Sequence, residues 1–420
     1  LHARLKAMPM PERDAAWSIH LAQSSRAARQ LVDWSLRPRN GHLAAPRALL
    51  VAITITWFLS TSDRGLRDRS TKALVCILAD QPEIVASLVE RFIDVDDAYV
   101  IERLLCAIYG AALQGRWGEE AAAFAVKAVD QDVFIRRPPP VNTLAREHAR
   151  LLIRWAISRG VLPTDYDINP SSGPFASPWP IEHVPDTVIE GFTRSYPSGY
   201  VGRDAIVASC VEDGDFARYV LDGAIDSWSP ALRGTTPLPT RQALHDAWQR
   251  DFDAMATPEM QVVYASLTVA LKEDYEESPW REGPKAKAAK EAFEAAVGSD
   301  MFERWREEAA NWRRSGMYQQ PQPRDYAEFN LAWARRWVCL RAHQLGWSQA
   351  LHGNFNDTIH NDRMSHRAER IGKKYQWLAL YELCARMADN LEPVKVSAPE
   401  PDELRPIDPS LLAGTRLDDE

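Results

Sequence analysis

The sequence predicts an all-α protein: a HEAT/TPR-like helical repeat (α-solenoid), then a Pro-rich linker, then a second helical domain. Three observations predict it. Residues 43 to 160 carry apolar side chains at helical spacing, and the runs open on residue types that cap helices. One apolar face recurs three times. Aligning Leu66, Val100 and Leu144 as first core positions, the offsets +4, +7, +8 and +11 give Ser70, Ala73, Leu74 and Ile77, then Leu104, Ala107, Ile108 and Ala111, then His148, Leu151, Leu152 and Trp155. The separations, 34 and 44 residues, suit two-helix units that bury their faces only by stacking on a neighbour. Composition agrees: of 420 residues 45% are hydrophobic and 26% charged, with 15 tryptophans, which disfavours collagen-like and disordered chains. An irregular helical bundle is the competing architecture.

In chain order, helices are expected near residues 46–60, 66–80, 82–93, 97–114, 119–130 and 143–159. The first alternates Ile53-Thr54-Ile55-Thr56 like a strand, but its length and neighbours favour a buried helix. Ser62 or Asp63, Asp96 or Asp97, and Asn142 stand where N-caps are needed. Residues 161–200 break the pattern with seven prolines, so they are expected to form an extended strap lying on protein surface through Phe175, Trp179 and Phe192. Helical periodicity resumes over residues 213–228, 240–256, 258–273, 284–297, 299–314, 325–345 and 365–390. The tail, residues 391–420, is acidic and carries five prolines, so it is expected to be disordered. The expected division is therefore 1–160, 161–200, 201–390 and 391–420.

The net charge of −8 excludes a whole-molecule polyanion binder and leaves only local basic sites. Five scattered cysteines without a CxxC pair read as free thiols in a reducing compartment. The longest apolar run, Ala48 to Leu59, is too short to span a bilayer, so no membrane partner and a cytoplasmic location are expected. The single Gly-Lys pair, Gly372-Lys373, is followed by Lys374 and sits in a helical pattern, so no phosphate loop is present; HExxH and GxSxG are also missing. The quartet Gly199 to Gly202 matches the KH loop but lacks flanking evidence. His343, His352, His360 and His366 fall close together in the chain beside Asp357 and Asp362, a grouping that could hold a metal or act as acid and base. Their spacing fits no common ligand pattern, and a polar helix connection is the stronger reading, so no catalytic, cofactor or metal residue is assigned. The candidate partner-binding residues are instead Arg363, Arg367, Arg370, Lys373 and Lys374, set against the single acid Glu369, with Trp377 as an aromatic anchor. A solvated helix face is the bland alternative.

Four strings carry a resemblance: Met10-Pro-Glu-Arg-Asp-Ala-Ala-Trp-Ser-Ile19, the stretch from Trp57 to Leu74, Gly214-Asp-Phe-Ala-Arg-Tyr219, and Glu369-Arg-Ile-Gly-Lys-Lys-Tyr-Gln-Trp377. They resemble the C-terminal helical-repeat region of large bacterial STAND NTPases of the AVAST anti-phage type. The resemblance covers most of residues 10 to 390. It implies a sensor that binds a phage protein, such as terminase or portal, and thereby promotes homo-oligomerisation and effector activation in the full-length protein. It also implies that ATP and Mg²⁺ bind an upstream NTPase domain, so this chain alone is expected to hold no cofactor and to be no enzyme. The first residue, Leu1, fits that expectation of a fragment. A nucleic-acid-binding solenoid using the 363–374 stretch, or a structural scaffold, is the alternative.

Overall fold

The computed structural model describes residues 1–37, 43–179, 183–194, 206–211, 214–225, 228–277, 283–310, 327–353 and 369–393. Helices α1 (His2–Lys6), α2 (Met10–Arg13), α3 (Ile19–Gln23) and α4 (Arg26–Ser35) precede α5 (Ala45–Phe58), α6 (Arg64–Asp80), α7 (Val85–Phe92), α8 (Ala98–Leu113), α9 (Glu119–Asp130) and α10 (Thr143–Ser158). Short helices α11 (Asn169–Ser172), α12 (Asp186–Arg194), α13 (Val207–Cys210) and α14 (Asp222–Ile225) lead to strand β1 (Trp228–Leu232). Then come α15 (Arg241–Met255), α16 (Pro258–Glu277), α17 (Pro284–Val297), α18 (Ser299–Arg304), α19 (Leu331–Gln344), α20 (Ile371–Asn390) and strand β2 (Leu391–Pro393). The described residues are thus mostly helical, and among them the sheet is one antiparallel pair, β1 with β2. No described helix is long and apolar enough to cross a membrane.

Two compact units form: Leu1–Ile206 with Val338–Asp389, and Val207–Trp337 with Asn390–Glu420. These bounds differ from the division expected from sequence. Residues 338–389 belong with the first unit instead of a 201–390 domain, and the strap belongs there too. Linear order hides this because α20 is apolar on more than one face and finds its partners among the early helices, from α2 to α10. The start of the expected tail also differs, since Leu391–Pro393 pairs with β1; residues 394–420 lie outside the described part.

In the first unit, α4, α6, α8 and α10 pack side by side in one layer, and α5, α7 and α9 in a second. Rungs join them as α5 with α6, α7 with α8, and α9 with α10. A set of polar ties repeats at similar sequence separations. Arg29 reaches Asp63, Arg69 reaches Asp33, Arg103 reaches Asp68 and Arg116 reaches Asp80, while the Trp17 and Trp117 indoles donate to the carbonyls of Trp57 and Leu78. Asn142 donates to Glu102 in the same way.

The caps fix the register. Asp63 accepts from the amide of Leu66 at 2.9 Å and Asn142 from that of Ala145 at 2.8 Å, while Asp97 occupies the equivalent N-cap of α8. Counting from the third residue after each cap, the core faces are Leu66, Ser70, Ala73, Leu74 and Ile77; Val100, Leu104, Ala107, Ile108 and Ala111; and Ala145, Ala149, Leu152, Ile153 and Ala156. Each is at most 2% exposed. The third copy therefore starts at Ala145, one residue later than the alignment on Leu144, and Leu151 and Trp155 turn partly outward. A one-residue slip rotates a helix by about 100°, so the cap is the better anchor for the alignment.

Asn142 uses both ends of its amide, since the oxygen caps α10 while Nδ2 donates to Glu102 Oε2 at 3.1 Å. Asn142→Ala is expected to lower stability by about 1–2 kcal/mol, read by urea denaturation at neutral pH. A loss under about 0.5 kcal/mol would mean that neither bond matters in solution.

Helix α20 meets three helices of the α4-to-α10 layer in turn. Just before it, the Glu369 amide donates to the Ser62 carbonyl at the start of α6, and the Glu369 carboxylate lies 3.6 Å from Arg67. Lys374 bonds Asp97 at the start of α8, and both Asp389 oxygens accept from Arg146 on α10. Its 20 residues give about 30 Å of helix, enough to cross three helices packed about 8–10 Å apart. The strap is clamped beside it: the Phe175 amide donates to Asp389, Arg146 stacks 4.6 Å over the Phe175 ring, and Arg386 donates to the Pro178 carbonyl. In the second unit, α15 to α18 enclose an aromatic cluster of Trp248, Phe252, Tyr264, Phe293, Phe302 and Trp305.

Candidate functional site

The predicted contact stretch divides in the structure. Arg363 and Arg367 lie outside the described residues. Arg370 is half-buried just before α20, Lys373 is exposed on its first turn, and Trp377 is half-buried with its ring 5.3 Å from that of Tyr381. Lys374 requires a correction: it is 4% exposed and points into the unit, so it offers nothing to a partner. A lysine one position from an exposed lysine turns about 100° around the helix, and two carboxylates wait there.

Those carboxylates come from distant segments. The turn Asp14–Ser18 is a π-helical stretch between α2 and α3, and it sets Asp14 beside Ser18, whose hydroxyl donates to Asp14 Oδ1 at 2.6 Å. Lys374 Nζ lies 2.8 and 3.0 Å from the two Asp14 oxygens and 2.7 Å from Asp97 Oδ2. Asp97 gives α8 no side-chain cap, its Oδ2 being turned to the lysine, and its Oδ1 is buried without a hydrogen-bond partner. Arg13, wholly buried, donates to the carbonyls of Leu5 and Met8, pairs with Asp96 at 2.6 Å and stands 5.2 Å over the Trp57 ring. Burial pushes the Asp97 carboxyl up, with Asp14 adding to it and Lys374 opposing. Burial also works against charge on Lys374, but the two carboxylates outweigh it and hold the ammonium above its ordinary value. From sequence, Asp97 reads only as a cap and Asp14 carries no signal, because no spacing connects residues 14, 97 and 374.

Next to this cluster the first unit opens a cleft of about 370 Å³. Met10, Val95, Ile101, Leu345 and Leu378 make its apolar lining. Asp96, Asp97 and Asn142 also line the cleft. Arg341, Glu382 and Arg386 line it from α19 and α20. Arg341 Nε donates to Glu382 Oε2 at 2.7 Å, and Arg386 donates to Oε1 at 2.8 and 3.1 Å. Nearby in sequence, Glu102 is buried and pushed up to about 7, by burial first, with the Asn142 hydrogen bond and Arg103 opposing.

The histidine cluster does not assemble among the described residues. His343 stacks on Phe192 at 3.8 Å and shares Nδ1 with the Cys339 carbonyl, while His352 is buried with Nε2 at 3.1 Å from the Pro11 carbonyl. Burial lowers the pKa of both. His360, His366, Asp357, Asp362 and the Gly199 to Gly202 quartet lie outside the described residues. Among the described residues no three His, Cys, Asp or Glu side chains stand close enough to hold a metal ion. Cys76 and Cys106 are half-buried and Cys210, Cys339 and Cys384 buried, all as free thiols. No family model, no curated protein and no solved structure matches the chain.

Proposed function

We propose that this chain is a noncatalytic recognition module built as a HEAT-like α-solenoid, and that its ligand is a folded protein. The supporting observation is the two-layer ladder of α4 to α10, in which polar ties recur about one two-helix unit back along the chain. Such stacking gives an extended surface of rigid helices, a platform suited to protein recognition. The resemblance of the Met10, Trp57, Gly214 and Glu369 strings extends the proposal: the module is the sensor of a STAND-type antiviral ATPase of the bacterial cytoplasm. A phage protein bound here would drive oligomerisation and effector firing by its higher affinity for the assembled state. ATP and Mg²⁺ would act in the NTPase domain of the same full-length protein.

The contact surface proposed is the start of α20, with Lys373 as its outward charge, Arg370 beside it and Trp377 as the anchor. The test is direct binding of this chain to purified phage terminase and portal proteins by biolayer interferometry. One of them is expected to bind, and Trp377→Ala combined with Lys373→Glu is expected to weaken it about tenfold or more with helicity unchanged. Binding of neither protein, together with steeply salt-dependent binding of DNA, would replace this reading with the nucleic-acid one. Burial of Lys374 removes one of the five cations on which that alternative rests.

A further inference from the structure

The cleft beside the Lys374 cluster has two unlike ends. At one, by the first turn of α20, Asp96 and Asp97 line the cleft, backed by the buried Asp14, Arg13 and Lys374, so acid outnumbers base. At the other, about 12 Å further along α20 from Lys374, Arg341 and Arg386 both bond the one carboxylate of Glu382. Each end also keeps hydrogen-bonding capacity. Asp96 accepts from Arg13 and from the Met10 amide, yet its side chain stays 52% exposed and can accept from a further donor. Arg341 engages Glu382 through Nε, leaving its two terminal nitrogens available toward the cleft that it lines. Between the ends lie Met10, Val95, Ile101, Leu345 and Leu378. The volume, about 370 Å³, falls in the range of small-molecule sites.

We propose that this cleft binds a small zwitterion of amino-acid type with an apolar side chain. Its ammonium group lies at the Asp96/Asp97 end, where it pairs with the half-exposed Asp96 carboxylate. Its carboxylate lies at the Arg341 end, where the planar guanidinium offers paired donors. Its side chain covers the apolar lining. A simple anion would meet the two aspartates, and a simple cation the arginines, so only a molecule carrying both charges matches both ends. Free amino acids and short peptides share this chemistry, and they differ in the distance between charges.

The experiment uses the full chain and calorimetric titration with L-leucine, L-leucinamide, N-acetyl-L-leucine and the dipeptide Leu-Leu at millimolar concentration. The panel is repeated with the other apolar amino acids and their dipeptides. One zwitterion is expected to bind, and removing either of its charges is expected to weaken binding about tenfold or more. Leu-type amino acids binding above dipeptides would identify the free acid as the ligand, and the reverse order a peptide. Arg341→Gln is expected to reduce the zwitterion to the level of its amide while leaving the amide unchanged, which a merely structural effect would not do. If that variant fails to fold, the ligand series on the unaltered chain decides alone. The proposal is overturned if no zwitterion of the panel binds, or if the two singly charged derivatives bind as well as the parent. It is independent of the protein-ligand reading, because Lys373 and Trp377 do not line the cleft.

Discussion

Lys374→Met is expected to destabilise the first unit by about 3–5 kcal/mol, because it leaves Asp14 and Asp97 buried without their shared cation. Both carboxylates are at most 1% exposed, so water cannot take the place of the ammonium. Arg13 compensates poorly: it stands 3.8 Å from Asp97 and is already bonded to Asp96. A loss of this size is a large share of the roughly 5–15 kcal/mol that ordinarily separates folded from unfolded domains. Urea denaturation followed by circular dichroism measures it. Adding Asp97→Asn to Lys374→Met is expected to restore part of the loss, since it removes one stranded charge, and the non-additivity reports the coupling. A cost below about 1 kcal/mol for Lys374→Met would mean that the cluster is hydrated in solution.

Glu102→Gln is expected to stabilise the protein increasingly as pH rises from about 4.5 to 7, and to change little below that window. The folded carboxyl is raised to about 7 from an ordinary value of 4.5. Between those values the native state binds a proton that the unfolded chain lacks. The contribution to stability is therefore fully present below the lower value and is lost as pH rises through the upper one. The difference amounts to about 3 kcal/mol at pH 8, and the neutral amide removes it while still accepting from Asn142. Denaturation of both proteins from pH 5 to 8 should show the gap opening with pH; a constant gap would place the effect in packing instead. His148 works in the opposite sense. Burial lowers it to about 4, so its contribution is present above 6.5 and is lost as pH falls through the lower value. In the unaltered chain the two slopes oppose each other in mild acid, which hides each from a simple pH scan.

Local structure was legible where one helix face and one cap decide it. The expected helix 66–80 is observed as Arg64–Asp80, since apolar period and the Asp63 cap agree there, and 119–130 is observed as Glu119–Asp130 on its apolar period alone. The slip at Leu144 arises because Leu144 and Ala145 are both apolar, and only the bond from the Ala145 amide to Asn142 separates them. The expected helix 213–228 ends at Ile225, and Trp228–Leu232 is a strand. Its partner, Leu391–Pro393, lies near the far end of the chain, and strand pairing over such a distance leaves no periodic trace in so short a segment. The site was the least legible part. Lysine in a basic run is ordinarily solvated, and nothing within residues 363–374 records that Asp14 and Asp97 fold to meet Lys374. Of the cleft, the Arg341 to Glu382 bond leaves no sign in the sequence, because pairing across 41 positions is set by how α19 and α20 pack.

The crossing of α6, α8 and α10 by α20 has a consequence for how the polypeptide is made. A ribosome releases the helices up to α10 long before Lys374 is synthesised, so the ladder emerges with Asp14 and Asp97 lacking the ammonium between them and the Arg146 side chain lacking Asp389. At roughly 5–20 residues per second, that interval lasts on the order of ten seconds or more. The early helices therefore form a scaffold whose Asp14 and Asp97 carboxylates lack their shared cation until the late helix arrives. Arrival of α20, more than local helix formation, sets the moment at which this unit acquires its final stability.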